Sequence, residues 1–65
     1  MVYAINYGNQ LYMSKDDAEI MRVLAFIDVI KRPADLLESA RENAGKTIGA
    51  FTSKGEPVLI QAFSN

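Results

Sequence analysis

Neither cysteine nor histidine occurs in this chain of 65 residues, and this double absence restricts how so short a chain can be stabilised. A chain of this length buries only about 60% of the surface that its unfolded form exposes, so it forms one core. Domains of this size usually depend on a disulfide, a metal, a second copy or unusually good packing. Because thiolate and imidazole ligands are missing, we expect a single domain over residues 1–65 that forms a homo-oligomer, most simply a homodimer.

The N-terminal segment predicts a β-hairpin over residues 2–13. β-Prone residues flank Gly8 and Asn9, and a glycine there can adopt the positive φ of a two-residue turn. Side chains alternate between the two faces of a strand, so the hairpin has one face with the tyrosines and one without. The first face carries Tyr3, Ile5, Tyr7 and Tyr12, and the second carries Val2, Ala4, Leu11 and Met13.

A helix is predicted to follow the hairpin. Ser14 is a suitable N-cap, and the helix is predicted to run to about Lys31, because Pro33 cannot continue the helical hydrogen bonds. A second apolar row lies roughly 120° to 140° from the main stripe, so we expect this helix to be buried on more than one side. The main stripe is Ile20, Val23, Leu24, Ile27 and Ile30, and the second row is Met21, Ala25 and Val29.

A second helix and a second hairpin complete the predicted fold. Pro33 suits the first position of a helix that extends to about Ala44, with Gly45 beyond its end. Strand formers over residues 47–52 and 57–63 predict a hairpin around the intervening loop. The element order ββααββ indicates an α+β fold, a four-stranded antiparallel sheet with two helices packed on one face. Apolar side chains on both faces of the sheet require a second cover, either another copy or a different protein.

The sequence offers little for catalysis. Residues 40–47 fit the loose spelling of a phosphate-binding P-loop, but a helix is predicted before this motif and a strand after it, the reverse of what phosphate binding requires. Small tautomerases of similar length use an N-terminal proline as base, and Val2 stands in that place here. Without histidine or cysteine no acid–base or nucleophile constellation is visible. We therefore expect no enzyme activity, no catalytic residues, no cofactor and no bound metal.

Net charge argues against nucleic acid as a partner, and the lack of a long apolar run argues against a membrane. Seven basic and eight acidic residues give a net charge of -1, the wrong sign for non-specific binding to phosphates. The basic residues Lys15, Lys46 and Lys54 are scattered along the chain. The N-terminus lacks the features of a signal peptide, and no apolar run approaches the roughly 20 residues of a membrane-spanning helix. We expect a cytoplasmic protein.

The sequence is most consistent with a small protein-binding regulator or inhibitor, a homodimer that occludes a surface of a partner protein. Single domains of this kind include accessory regulators encoded by viruses and mobile elements. Two hypotheses remain beside it: a nucleic-acid-binding regulator that stacks bases on the tyrosine-bearing sheet face, and a structural subunit of a larger assembly. The residues expected to contact a partner or a second copy are Tyr3, Tyr7 and Tyr12, with Met21, Ala25 and Val29 as the alternative patch.

Overall fold

The computed structural model describes residues 1–64 and confirms the predicted order ββααββ. The four strands form one antiparallel sheet in the order β2-β1-β4-β3, so the first and last strands of the chain are the central pair. The two helices pack on one face of this sheet, as predicted. The elements are β1 (Val2–Tyr7), β2 (Gln10–Ser14), α1 (Asp17–Phe26), α2 (Pro33–Glu42), β3 (Thr47–Phe51) and β4 (Pro57–Phe63).

The first hairpin has the predicted two-residue turn. Tyr7 lies opposite Gln10, and Gly8 has a φ of 60°, which places the left-handed conformation on the residue that has no Cβ. Because Asn9 does not take a positive φ, the turn follows the φ pattern of type II′. This turn sets the register, so the three tyrosines of the hairpin share one face with Ile5, as the sequence indicates.

Helix α1 begins and ends at other residues than the sequence predicts. Its N-cap is Asp16, whose carboxylate accepts a hydrogen bond from the Ala18 backbone N–H at 3.0 Å, while Ser14 caps the turn before it. The prediction that the helix runs to Lys31 is wrong, because it ends at Phe26 and Asp28 takes a φ of 63°.

Backbone hydrogen bonds to the end of β3 explain why the helix stops early. The Ile30 N–H donates to the Phe51 carbonyl, and the Ser53 N–H donates to the Asp28 carbonyl, both at 2.9 Å. Val29 pairs with Thr52 as an antiparallel bridge. The segment after α1 therefore passes beside the end of β3, and its hydrogen bonds to backbone groups there replace those of a further helical turn.

Helix α2 begins at Pro33 as predicted and ends at Glu42, two residues before the expected Ala44. The Asn43 backbone N–H and side-chain amide both donate to the Ser39 carbonyl, at 3.0 Å and 2.8 Å, and close this end of the helix. Gly45 lies beyond the helix with a φ of 85°, and its N–H donates to the Ala62 carbonyl of β4. This contact directs the chain from α2 into β3.

The core lies between the helices and the inner face of the sheet. Alternate residues of β1 and β4 point toward the helices, where they meet the buried side chains of α1 and α2. The expectation that α1 is buried on more than one side is wrong, because Ala25 and Phe26 are exposed. The large members of the core are Tyr3, Ile5, Ile20, Leu24, Leu36, Leu37, Val58 and Ile60.

The positive φ of Asp28 allows the observed end of α1 to be tested by substitution. An L-residue with a side chain in the left-handed region costs on the order of 1–2 kcal/mol, and Asp and Asn tolerate this conformation better than Ala. We expect Asp28→Ala to lower the free energy of unfolding by about 1 kcal/mol, partly because the Asp28 carboxylate also accepts a hydrogen bond from the Ser53 hydroxyl. Asp28→Gly removes the same carboxylate but relieves the φ. Chemical denaturation that finds the alanine and glycine variants equally stable would contradict this account.

Candidate interaction surfaces

Two apolar surfaces remain uncovered, one on each side of the sheet. We call the first the outer sheet face, because it lies on the side opposite the helices. Its large apolar side chains are between 36% and 60% exposed. They are Leu11, Met13, Phe51, Leu59 and Phe63.

The register of the strands explains how these side chains come together. Leu11 of β2 lies in one row with Asn6 of β1, Leu59 of β4 and Gly49 of β3. The next row places Met13 beside Ala4, Gln61 and Thr47. Ile30, which is 70% exposed, extends the same face past β3, since its N–H binds the Phe51 carbonyl and its neighbour Val29 points into the core.

The outer sheet face carries no charge. No outward-pointing position in the four strands, all of which lie within residues 1–64, has an acidic or basic side chain. Charged residues make up 23% of the chain, and all of them lie in the helices, turns and connecting segments rather than in the strands. Large contiguous apolar patches on a small protein mark contact surfaces more often than ordinary solvent-exposed surface.

The second surface is a groove between the tip of the first hairpin and the C-terminal end of α1, which we call the hairpin groove. Its volume is about 770 Å³. Phe26, the last residue of α1, stands at its edge with 90% of its surface exposed. The apolar and aromatic residues that line the groove are Ile5, Tyr7, Tyr12, Val23, Phe26, Ile27 and Pro57.

Carboxylates hold both groove tyrosines in place. The Tyr7 hydroxyl donates to Glu56 Oε1 at 2.5 Å, and the Tyr12 hydroxyl donates to Glu19 Oε1. Both hydrogen bonds favour the protonated phenol, so each raises the pKa of its tyrosine above the ordinary value of 10.0. The Thr52 hydroxyl donates to the same Glu56 oxygen at 3.2 Å, which fixes that carboxylate in turn.

The structure separates the three tyrosines that the sequence groups together. The helices cover the tyrosine-bearing face, so Tyr3 is only 2% exposed and belongs to the core. Its hydroxyl accepts a hydrogen bond from Arg41 Nη1 at 3.1 Å. The expectation that Tyr3 contacts a partner does not agree with this position, because its ring is enclosed by the chain itself. Tyr7 and Tyr12 are half-buried and line the hairpin groove together.

The alternative patch is not brought together as one surface. Met21 is half-buried against the core, Ala25 is exposed on α1, and Val29 is buried in the segment that follows the helix. Because α1 ends before Val29, that residue does not continue the helical row of the other two. The residues that sequence reasoning missed are Phe26 and the large members of the outer sheet face. The signal for the outer face was the run of consecutive apolar residues in β2 and β4, which places apolar side chains on both faces of the sheet.

The structure also bears on the P-loop-like motif, on metal-ligand clusters and on membrane-spanning helices. In the motif at residues 40–47, α2 precedes Gly45 and β3 follows it, so no helix N-terminus faces the glycine loop. Among residues 1–64, no three Asp, Glu, His or Cys side chains cluster as a metal site would require. Neither helix in the described part of the chain has the length and apolar character needed to cross a bilayer.

Comparison of the chain with protein families, with curated proteins and with solved structures finds no match.

Proposed function

We propose that this protein is a small protein-binding regulator, a homodimer that occludes a surface of a partner protein through the hairpin groove. The observation that carries the proposal is the position of Phe26. A phenylalanine that is 90% exposed at the end of a helix, beside an aromatic groove, has no structural role within its own chain. Its burial by a partner removes a large apolar area from water.

The surroundings of Phe26 support a protein as the partner. Aromatic residues are enriched among those that contribute most of the binding energy at protein interfaces, and they commonly lie at well-formed pockets. Tyr7 and Tyr12 provide two further aromatic rings in the same groove. Because hydrogen bonds to carboxylates hold their hydroxyls, these rings lose little rotational freedom when a partner binds, and less binding energy is spent on ordering them.

The fold gives less support to a nucleic-acid-binding role. Base stacking on a sheet requires exposed aromatic rings beside basic side chains. Here the helices cover the tyrosine-bearing face, and Tyr3 lies in the core. The outer sheet face exposes Phe51 and Phe63 but has no lysine or arginine at its outward positions in the described strands.

One observation favours a structural subunit as the second candidate function. The hairpin groove and the outer sheet face lie on opposite sides of the sheet. If the groove of one copy received the outer sheet face of the next, the contact would be heterologous and could repeat without closing. Growth of particle mass with concentration, beyond any dimer, would favour this candidate over the regulator.

Photo-crosslinking in the cells that produce the protein tests the proposed function. A photoreactive phenylalanine analogue is introduced at Phe26, and the matched control places it at Ala34, which is exposed on α2 and lies outside the groove. We expect one discrete protein adduct from position 26. An excess of unlabelled wild-type chain should suppress this adduct, whereas an excess of the Phe26→Ser chain should not. The same adducts from both positions, or adducts to the protein's own copies alone, would overturn the proposal. An adduct that nuclease removes would favour the nucleic-acid hypothesis.

A further inference from the structure

We infer that the outer sheet face is the self-interface, and that a second copy of this chain covers it to form a sandwich of two sheets with the helices outside. This inference rests on the homodimer of the proposed function and names the surface that forms it. It leaves the hairpin grooves of both copies open, because they lie on the helix side of each sheet.

The absence of charge on the outer sheet face favours an identical partner. In a twofold interface the same patch faces itself, so a charged side chain near the axis would meet its own like charge. The outward positions of the described strands hold only apolar or neutral polar side chains. The surface around the hairpin groove differs, since Glu19 and Glu56 bind its tyrosines. A neutral face presents no charge pattern by which a foreign partner would be selected.

The size of the face is suitable for a dimer. Its strands contain between five and seven residues. With about 4.8 Å between strands and about 3.3 Å per residue, four strands span roughly 20 Å in each direction. Protruding side chains raise the accessible area of such a face toward the roughly 800 Å² per partner that stable interfaces bury.

The outer sheet face has both large and small side chains, so two copies can interdigitate. Small side chains lie among large ones: Ala4 is next to Met13, and Gly49 is next to Leu59. Apart from Gly49 and its two chain neighbours, no residue has an atom within 4 Å of the position that a Cβ on Gly49 would take, so this site is open in the single chain. Sheets that pack face to face are about 10 Å apart with interdigitated side chains, and the large residues of one copy can fill the space above the small residues of the other.

The length of the chain supplies the energetic reason for such a contact. A single core in a domain of this size rarely contributes more than about 3–5 kcal/mol of stability, and the chain has no disulfide to add to it. Joining two outer sheet faces creates a second apolar layer that neither copy can form alone. Folding and dimer formation then reinforce one another, since the dimer stabilises only the folded state.

Light scattering over a range of protein concentrations tests the inference. We expect a wild-type mass of twice the 7.2 kDa chain mass, and a mass of 7.2 kDa for Leu59→Glu over the same range. The substituted carboxylate would be buried without a partner in the interface, so the dimer dissociation constant should rise at least about 100-fold. The matched control is Phe26→Glu, which introduces the same charge at an exposed apolar residue on the other side of the sheet and should remain dimeric.

The outcomes separate this inference from the proposed function. A wild-type dimer that Leu59→Glu leaves intact, or that Phe26→Glu also dissociates, would overturn the outer sheet face as the interface while the homodimer itself stands. A wild-type monomer at all concentrations would overturn the homodimer and this inference together, whereas the crosslink from position 26 would still report on partner binding. If circular dichroism shows that Leu59→Glu does not fold, Met13→Lys on the edge strand β2 is measured in its place, with the same expected mass.

Discussion

Replacing Ile20 with alanine is expected to unfold a large part of the protein at room temperature. Ile20 lies on the buried side of α1 and is 0% exposed. Truncation of a buried isoleucine to alanine typically lowers the free energy of unfolding by about 2–5 kcal/mol, because apolar area is lost and a cavity remains. A domain of this size has only about 3–5 kcal/mol from its core, so the loss is comparable to the whole. Urea denaturation followed by circular dichroism measures it.

Two controls isolate burial as the cause of this loss. Ile20→Val removes one methylene group from the same site and should lower the free energy of unfolding by about 0.5–1.5 kcal/mol. Phe26→Ala removes more atoms than either but at a residue that is 90% exposed, so its effect should stay within about 0.5 kcal/mol. All variants are compared at one protein concentration, since the proposed dimer would make apparent stability depend on concentration. Equal losses for Ile20→Ala and Phe26→Ala would contradict the assignment of Ile20 to the core.

Tyr3→Ser is expected to be as destabilising as the change at Ile20, and its cause is loss of the core rather than loss of a contact surface. The ring of Tyr3 lies in the core between the sheet and the helices and is 2% exposed. By comparison with truncations of buried aromatic residues, removal of the ring should lower the free energy of unfolding by about 3–5 kcal/mol. Thermal and urea denaturation of the purified variant provide the measurement.

Tyr3→Phe distinguishes the ring from the hydroxyl. It keeps the ring and removes only the oxygen that accepts a hydrogen bond from Arg41 at 3.1 Å, so the loss should be about 1 kcal/mol. Tyr7→Ser provides a matched substitution at a half-buried tyrosine of the hairpin groove and should cost much less than Tyr3→Ser. If Tyr3→Ser proved no more destabilising than Tyr7→Ser, the helices would not cover the tyrosine-bearing face as described.

Local signals in the sequence were sufficient for the order of the elements. Gly8 between two β-prone runs determines a two-residue turn, and Pro33 marks the start of α2, because both effects depend only on the residue and its immediate neighbours. The end of α1 depends on distant residues. Residues 27–31 continue the apolar spacing of a helix, but the Asp28 carbonyl and the Ile30 N–H bind backbone groups at and just beyond the end of β3, more than twenty residues later in the chain.

The candidate site was harder to predict because alternation shows which side chains share a face but not which face the helices cover. Both faces of the first hairpin are apolar, one with Tyr3 and Ile5 and the other with Leu11 and Met13. The path of the chain through α1 and α2 decides between them, and no local pattern records that path. The exposure of Phe26 could not be predicted for a related reason. In a helix that continued to Lys31, Phe26 would lie beside the apolar stripe in the middle of the helix. The observed α1 ends at Phe26, which leaves this residue at the edge of the groove.

The central position of β1 and β4 has a consequence for how the chain folds. These strands pair along their full length, with Val2 opposite Phe63, so nearly the entire chain lies between the two strands that form the middle of the sheet. Closing so long a loop costs entropy before its contacts form, and folding slows as contacts become more distant in sequence. During synthesis the first hairpin and both helices lack their central neighbour until β4 has left the ribosome. Folding of the sheet is therefore expected to wait for β4, with a rate governed by the meeting of the two hairpins rather than by the formation of either one.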